Sequence, residues 1–259
     1  MIDANSHPVR PEPGVALVTG GSAGIGYSIA ERLAADGFRV AIFSSGEGGA
    51  ERAAAELSAD GAVVRGYRAD VSDRAQVDAA VAAARDELGP FSVIVANAAV
   101  APQQSFLEMT PEEWERTIAI NLTGTFHTVQ AALGDLVAAH WGRVVLISSS
   151  SAQRGSPRMA HYAASKGGQL ALTKALAVEF ASSGITVNSV VPSSVISRSV
   201  LRKQEAGTIP SEEQMAKYIP VGRMGRGEDI AAAVSYLVSD GASYVTGQTI
   251  SVNGGSFIG

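Results

Sequence analysis

A tyrosine and a lysine stand four residues apart in the segment HYAASKGG, at Tyr162 and Lys166. On an α-helix this spacing places both side chains on one face, one turn apart. A free tyrosine has a pKa near ~10, and a neighbouring ammonium lowers it by favouring the phenolate. The pair therefore predicts an acid/base centre, although surface Tyr–Lys pairs without a catalytic role share the spacing. His161, beside the tyrosine, is more simply interpreted as facing outward.

A glycine-rich turn, TGGSAGIG at residues 19–26, lies between the apolar run GVALVT and the helical segment GYSIAERLAADG. In a strand–turn–helix context, glycines let the backbone approach a pyrophosphate at the helix N-terminus. The alternative is a tight turn that holds no ligand. We expect a dinucleotide site whose contacts come from Gly20, Ser22, Ala23, Gly24, Ile25 and Gly26.

The end of the second predicted strand bears on the choice of dinucleotide. An acidic residue there would hold the ribose hydroxyls of NAD, but the strand FRVAIF runs into Ser44, Ser45 and Gly46. The two hydroxyls can accept the extra phosphate of NADP, whereas no arginine follows directly to bind it. The sequence therefore favours NADP(H) and leaves NAD(H) open.

Short apolar runs alternate with longer Ala/Leu-rich stretches along the chain. Runs typical of strands begin at 14, 38, 62, 91, 142, 185 and 248, and helices are expected near 24–36, 49–58, 73–87, 111–140, 160–181 and 227–239. Strands that are apolar throughout and separated by helices are buried on both faces. The pattern predicts an α/β fold of the Rossmann type, with a doubly wound, seven-stranded parallel sheet and helices on both faces.

The composition is that of one globular domain. Of 259 residues, 46% are hydrophobic and 17% charged, and the formal net charge of −5 comes without a Lys/Arg run, so nucleic acid is not an expected partner. Cysteine is absent and the four histidines lack ligand spacing, so we expect no metal site. Without a signal-peptide pattern or ~18 consecutive apolar residues, a cytoplasmic protein that does not contact membranes is expected.

The chain divides into a tail, a domain and a lid. Residues 1–12 contain prolines and few apolar residues, which is typical of a flexible N-terminal tail. One dinucleotide-binding and catalytic domain is expected over residues 13–259. Within it, the stretch from about 193 to 222 breaks the alternation of strands and helices and is rich in polar residues and prolines. We interpret it as a lid.

Further motifs appear in a fixed order: NAA at 97–99, NLTG at 121–124, ISSS at 147–150, YAASK at 162–166 and VTGQTISVNGG near the C-terminus. Together with TGGSAGIG and the thirteen residues between Ser149 and Tyr162, they make the chain resemble the classical short-chain dehydrogenases/reductases. The resemblance covers about residues 14–255 and is nearest to the 3-oxoacyl-(acyl carrier protein) reductase branch.

The resemblance implies a catalytic tetrad of Asn121, Ser149, Tyr162 and Lys166. Tyr162 would exchange a proton with the substrate oxygen, and Ser149 would donate a hydrogen bond to the same oxygen. Lys166 would hold the nicotinamide ribose and tune the tyrosine, while Asn121 would position a water that relays protons. The residues alone leave Asn121 open as a helix-bend residue.

The choice among neighbouring serines also depends on the resemblance, because Ser148 and Ser150 differ from Ser149 only in their interval to the tyrosine. For the cofactor, the resemblance implies contacts at the ends of successive strands. Two positions, Ala99 and Ser193, depart from the family pattern because glycines are usual there. The implied cofactor contacts are Ser44, Ser45, Asp70, Val71, Asn97, Ala98, Tyr162, Lys166, Pro192, Val195 and Ser197.

The substrate is the part of the function that the sequence leaves most open. Apolar lid residues such as Ile196 and Met215 favour a mid-sized, mainly apolar carbonyl compound or secondary alcohol. A 3-oxoacyl-carrier-protein reductase is the alternative, although Ala139 and Ser183 stand where arginines facing an acidic carrier are expected. A protein that senses a dinucleotide without turnover is a second alternative. The resemblance also implies a homotetramer or dimer, formed through the helices near 111–140 and 160–181.

Overall fold

The computed structural model describes residue 12 and residues 14–59 and 61–258. The predicted tail therefore lies, apart from Glu12, outside the described residues. Within the described residues, seven strands form one sheet in the order β3–β2–β1–β4–β5–β6–β7, and every neighbouring pair is parallel. The strands are β1 (Val15–Thr19), β2 (Arg39–Ser44), β3 (Val64–Arg68), β4 (Val93–Ala96), β5 (Gly142–Ile147), β6 (Ile185–Pro192) and β7 (Thr249–Val252). The predicted doubly wound parallel sheet is confirmed.

Helices cover both faces of this sheet, because successive residues of a strand point to opposite sides. Ala16 and Val18 of β1 belong to one hydrophobic core and Leu17 to the other. The main helices are α1 (Gly24–Ala35), α2 (Gly49–Leu57), α3 (Arg74–Leu88), α4 (Pro111–Ile118), α5 (Gly124–Ala139), α6 (Ser151–Arg154), α7 (Ala160–Phe180), α8 (Arg198–Glu205), α9 (Glu212–Ala216) and α10 (Gly227–Val238).

The order of the strands reverses at β1, whose neighbours are β2 on one side and β4 on the other. In parallel sheets of this kind, ligands bind beyond the carboxyl ends of the strands at such a switch point. The loops that follow β1 and β4 therefore lie side by side at this point. The first contains the glycine-rich turn, and the second begins with the NAA segment. This edge of the sheet is where the site is built.

The single helix expected over residues 111–140 is interrupted in the structure. Helix α4 begins as predicted with a capping box between Thr110 and Glu113, but a π-helical turn at Ala119–Thr123 separates it from α5. The side chain of Asn121 in this turn pairs with the main chain of Val100, accepting from its N–H at 2.8 Å and donating to its carbonyl at 2.9 Å. Helical periodicity shows nothing of such a turn, because tertiary hydrogen bonds hold it.

The stretch predicted as a lid folds into α8 and α9, joined to the domain at both ends. The Ser197 hydroxyl caps α8 by accepting from the Val200 N–H at 3.2 Å, and the Ile196 N–H donates to the Gly225 carbonyl at 2.8 Å. The helices show that the stretch has secondary structure of its own, while its opening and closing stay a prediction. No helix in the described part of the chain is long and apolar enough to cross a membrane.

Candidate active site

The glycine-rich turn has a backbone that only glycine adopts readily. Gly20 and Gly24 have φ angles of 66° and 58°, in the left-handed region where a Cβ is strained. At Gly26 a Cβ would lie 2.3 Å from the Gly20 carbonyl oxygen, so helix α1 packs directly against the turn. The three glycines therefore bring main chain, rather than side chains, to the surface of the site.

Asn97, which follows β4, braces this turn from the neighbouring strand. Its Nδ2 donates to the Thr19 carbonyl at 3.0 Å, and its main-chain N–H donates to the Thr19 hydroxyl at 3.0 Å. The Ala98 N–H donates to the same hydroxyl at 3.1 Å. The ends of β1 and β4 are thus fixed relative to each other at the switch point.

A cleft with a volume of about 240 Å³ opens beside the turn. It brings together predicted cofactor residues from the ends of four strands, although they are far apart in the sequence. The Asp70 carboxylate in its wall accepts from the N–H and hydroxyl of Ser72, at 2.9 and 2.6 Å. The predicted residues that line the cleft are Gly20, Ser44, Ser45, Asp70, Val71 and Ala98.

A second, larger cavity of about 530 Å³ lies at the N-terminus of α1. Ser22, Ala23 and Gly24 line it, together with Arg52 from α2 and Arg226 at the start of α10. The Ser22 hydroxyl lies 2.9 Å from the Ser44 hydroxyl, so the two serines are within hydrogen-bonding distance of each other. Two arginines therefore line this cavity, as do three glutamates, Glu56, Glu212 and Glu228.

Of the remaining predicted cofactor residues, some lie near the glycine-rich turn and others pack behind the site. Ile25 packs against the hydrophobic core rather than into a cavity, and Val195 also packs there. Ser197 lies near the turn, since a Cβ on Gly24 would be 3.9 Å from its Cβ. Pro192 ends β6, where its carbonyl accepts from the Ser150 N–H at 2.9 Å.

Helix α7 carries Tyr162 and Lys166 on successive turns, with the lysine nitrogen 5.9 Å from the centre of the tyrosine ring. A hydrogen bond joins the Ser149 and Tyr162 side chains. Asn121 reaches the same helix, because its Nδ2 donates to the Ser165 hydroxyl at 3.1 Å. The structure therefore brings together all four residues of the predicted tetrad, from three separate segments.

The pKa of Tyr162 is raised above its ordinary value of 10.0, because burial disfavours the phenolate; the hydrogen bond from Ser149 offsets this in part. The expectation that the neighbouring ammonium lowers this pKa is wrong for this structure. The Lys166 nitrogen instead donates to the Ile147 carbonyl at 2.7 Å and to Gln169 Oε1 at 3.1 Å. Burial lowers the pKa of Lys166 itself to about 7.

The two rival serines have other partners. The Ser148 hydroxyl donates to the Lys166 carbonyl at 2.9 Å, and the Ser150 hydroxyl donates to the Ser193 hydroxyl at 3.3 Å. Both rivals are buried, whereas Ser149 is half-buried beside the tyrosine. The prediction that His161 faces outward is wrong, since its side chain is fully buried at the start of α7.

Sequence reasoning missed three polar residues of this region. Arg52 stands eight residues beyond Ser44, one helical turn into α2, so a search for an arginine directly after the strand passes over it. Gln169 and Thr125 are fully buried or nearly so and contact each other at 2.7 Å. A glutamine three residues after the lysine, on the same face of the predicted helix, was the available signal.

The residues present fit a bound dinucleotide. Ala23, the N-cap of helix α1, has no side-chain acceptor for the first N–H groups of the helix, and Ala23 and Gly24 both line the cavity. Such an N-terminus attracts a phosphate through its N–H groups and its dipole. A side chain at Gly20 or Gly26 would fill the backbone cradle, with contacts of 3.0 Å or less.

Comparisons with known proteins agree with this geometry. The family model described as enoyl-(acyl carrier protein) reductase matches residues 20–256. The chain is 40% identical to a 2-(S)-hydroxypropyl-CoM dehydrogenase of Xanthobacter autotrophicus, over 93% of this chain and 95% of the relative. It is 38% identical to a 3-oxoacyl-(acyl carrier protein) reductase of Staphylococcus aureus, over 94% and 98%.

Among solved structures, a variant of actinorhodin polyketide ketoreductase with NADPH superposes with a TM-score of 0.89. It is 33% identical, and the match covers 96% of this chain and 99% of that one. Fold, motifs and relatives therefore agree over nearly the whole chain. The protein belongs to the short-chain dehydrogenase/reductase family and is an NAD(P)-dependent oxidoreductase.

Proposed function

We propose that the protein transfers a hydride between a nicotinamide and a carbonyl or secondary alcohol, with Tyr162 as the acid/base. The observation that carries this proposal is the hydrogen-bonded pair of Ser149 and Tyr162, standing above Lys166 at the carboxyl edge of the sheet. Two hydroxyl groups that meet on one side of a cleft can both reach a single substrate oxygen. The glycine-rich turn lies on the same edge of the sheet.

When bound, the nicotinamide supplies or accepts the hydride. For reduction, the Ser149 hydroxyl stabilises the charge that develops on the substrate oxygen, and Tyr162 donates its proton to that oxygen. The raised pKa of Tyr162 keeps the phenol protonated through neutral pH, which suits a proton donor. In the opposite direction the phenolate has to form first, so oxidation of an alcohol is favoured by alkaline pH.

Turnover of NADPH or NADH with a panel of ketones, aldehydes and alcohols tests this proposal. In Tyr162→Phe we expect kcat to fall by ~10³-fold, within the range that general acid–base catalysis supplies, while nucleotide binding is retained. Tyr236→Phe, at an exposed tyrosine near the far end of α10, is the matched control and should behave as the wild type. Nucleotide binding without turnover across the panel would instead favour a dinucleotide sensor.

We further propose that the enzyme prefers NADP(H). Arg52 and Arg226 are among the residues that line the cavity containing Ser22, and Ser44 stands where an acidic residue would repel the extra phosphate. Arginine binds phosphate through several N–H donors at once. Arg52 therefore supplies the cation that the sequence around Ser45 lacks.

For the substrate, we propose a mid-sized and mainly apolar carbonyl compound. Large apolar side chains stand exposed on two segments near the site: Phe106 and Leu107 on the loop after β4, and Tyr218 and Val221 at the end of the lid stretch. The first loop reaches the start of α7, where the Gln104 N–H donates to the Arg158 carbonyl at 2.8 Å. Exposed apolar groups around a site favour apolar ligands.

An acyl thioester is the second candidate, because of the 38% identity to a 3-oxoacyl-(acyl carrier protein) reductase. Comparing kcat/KM for acetoacetyl thioesters, free or on a carrier protein, with values for simple ketones of similar size separates the two. A kcat/KM at least tenfold higher for the ketones supports the apolar carbonyl substrate. The reverse ratio would favour the thioester.

We also propose a homo-oligomer. A groove of about 470 Å³ between α5 and α7 has an apolar lining that includes Phe126 and Leu172, and Val178 farther along α7 is 84% exposed. Small residues in the groove, among them Gly168 and Ala171, permit close helix packing with a second copy. The molar mass in solution by light scattering should exceed 26.6 kDa at least twofold, and Ala171→Arg should lower it.

A further inference from the structure

Gln169 lies fully buried on α7, three residues after Lys166. Its Oε1 accepts from the Lys166 ammonium at 3.1 Å, and its Nε2 donates to the Asn121 main-chain carbonyl at 2.9 Å and to the Thr125 hydroxyl at 2.7 Å. The direction of the carboxamide is fixed by chemistry, because an ammonium can only donate and a carbonyl can only accept. In a flipped amide, the NH₂ group would face the ammonium and the oxygen would face the Asn121 carbonyl.

The carbonyl oxygen of Asn121 is fully occupied by protein donors. It accepts from Gln169 Nε2 and also from the Thr125 hydroxyl, at 2.8 Å. A carbonyl oxygen has two lone pairs, and both are used here. The side chains of Gln169 and Thr125 therefore both hold this carbonyl.

The lysine is held by the same arrangement. Of the three N–H bonds of its ammonium, one points to the Ile147 carbonyl of β5 and one to Gln169, which leaves one for a ligand. The groups that contact it from β5 and through Gln169 are uncharged, and Tyr162 is the titratable group that faces it from its own helix. Burial is the cause of its lowered pKa.

We propose that Gln169 is a positioning residue of this enzyme: its carboxamide links the Lys166 ammonium to the Asn121 carbonyl and so sets the direction of the lysine nitrogen. The proposal rests on the function proposed above, because the held lysine matters through its contact with the nucleotide and with Tyr162.

The titration of Lys166 tests the proposal without nucleotide or substrate. The chain has only four lysines, so a protein labelled with carbon-13 at the lysine Cε positions gives few NMR signals, and Lys166→Arg identifies the one of interest. In Gln169→Met, an apolar side chain of similar length removes one acceptor of the ammonium. We expect the midpoint of the Lys166 titration to fall by about one pH unit.

Gln169→Ala should move the midpoint the other way. The shortened side chain opens a space bounded by Lys166, the Asn121 carbonyl and the Thr125 hydroxyl, which are enough polar partners to hold a water. Hydration of the ammonium then raises the midpoint above that of the wild type. Thr173→Val is the matched control, because Thr173 is buried one turn farther along α7 and its hydroxyl contacts Ser189 at 2.6 Å and the main-chain carbonyl of Gln169 at 2.8 Å, but not the Gln169 carboxamide or Lys166.

Shifts of opposite sign in the two Gln169 variants, with Thr173→Val unchanged, support the proposal. Midpoints that all coincide with the wild type overturn it, and if Gln169→Met does not fold, an unchanged midpoint in Gln169→Ala does so alone. The pH profile of kcat should follow the same shifts. A wild-type protein without turnover would refute the proposed function instead, and the nucleotide-free titration separates that outcome from failure of the Gln169 assignment.

Discussion

The glycine-rich turn and the start of α7 face the same edge of the sheet but are built in different ways. The turn is one continuous segment, residues 19–26, whose shape follows from glycines at positions with positive φ or without room for a Cβ. The pair of Tyr162 and Lys166 on α7 depends instead on partners from β5 and the residue after it, and from the π-helical turn around Asn121. Local backbone geometry makes the first region, and buried polar contacts over long sequence distances make the second.

The two regions therefore tolerate different substitutions. In the turn, a side chain added at Gly20 or Gly26 is costly because it meets backbone. Under α7, each polar group has a specific partner, so removing one partner leaves another buried group without its hydrogen bond. Substitutions in the two regions should therefore fail in different ways.

Removal of the Ser149 hydroxyl should have the largest effect. In Ser149→Ala we expect kcat to fall by about 10²–10³-fold, the loss typical when one donor to a developing oxyanion is deleted. Ser150→Ala is the control, because its hydroxyl contacts Ser193 and not Tyr162. Equal losses in both variants, measured by NADPH oxidation, would mean that the serine cluster acts structurally.

Gly26→Ala tests the turn. The new Cβ would lie 2.3 Å from the Gly20 oxygen and 2.5 Å from Asn97 Nδ2, so the turn has to move apart. We expect about 3 kcal/mol lower stability, at the upper end of overpacking costs, and loss of nucleotide binding. Gly46→Ala, where nothing lies within 4 Å of the added Cβ, should leave both unchanged. Denaturant unfolding and nucleotide fluorescence measure the two effects.

Lys166→Met tests the cost of the buried ammonium. Burial lowers the pKa of Lys166 from 10.5 to about 7. Between these two pH values the lysine is protonated in the unfolded chain but not in the folded one, so stability rises with pH in that window. Below pH 7 both states are protonated and the full cost is present. From pH 7 to 9, wild type should gain roughly 2 kcal/mol relative to the variant. Parallel unfolding curves over that range would contradict a buried, titrating lysine.

Arg52→Ala should have the smallest effect and bears on the cofactor. Because this side chain is exposed at the cavity wall, we expect the Kd for NADPH to rise by roughly tenfold, while the Kd for NADH barely changes. Arg74→Ala on α3, whose side chain pairs with Asp78, is the control. A loss of affinity that is equal for both nucleotides would exclude Arg52 as the source of discrimination.

Much of the site could be predicted because residue types and the intervals between them are visible in the sequence and could be compared with the family pattern. The interval from Ser149 to Tyr162 selected the serine that hydrogen-bonds the tyrosine over Ser148 and Ser150, and the positions of the glycines gave the turn. The environment of these groups could not be predicted in the same way. The burial of His161 and the raised pKa of Tyr162 depend on what packs around α7, which no local pattern contains.

The order of strands and helices along the chain and the glycine turn could be predicted from the residues alone, because periodicity and positive φ are properties of short segments. The four candidate catalytic residues came from the family resemblance. Only the tertiary structure decided where the Lys166 nitrogen points and what occupies the Asn121 carbonyl. The lysine bonds to β5, nineteen residues earlier in the chain, and Gln169 bonds to Asn121, forty-eight residues earlier, only once α7 has packed beside the π-helical turn.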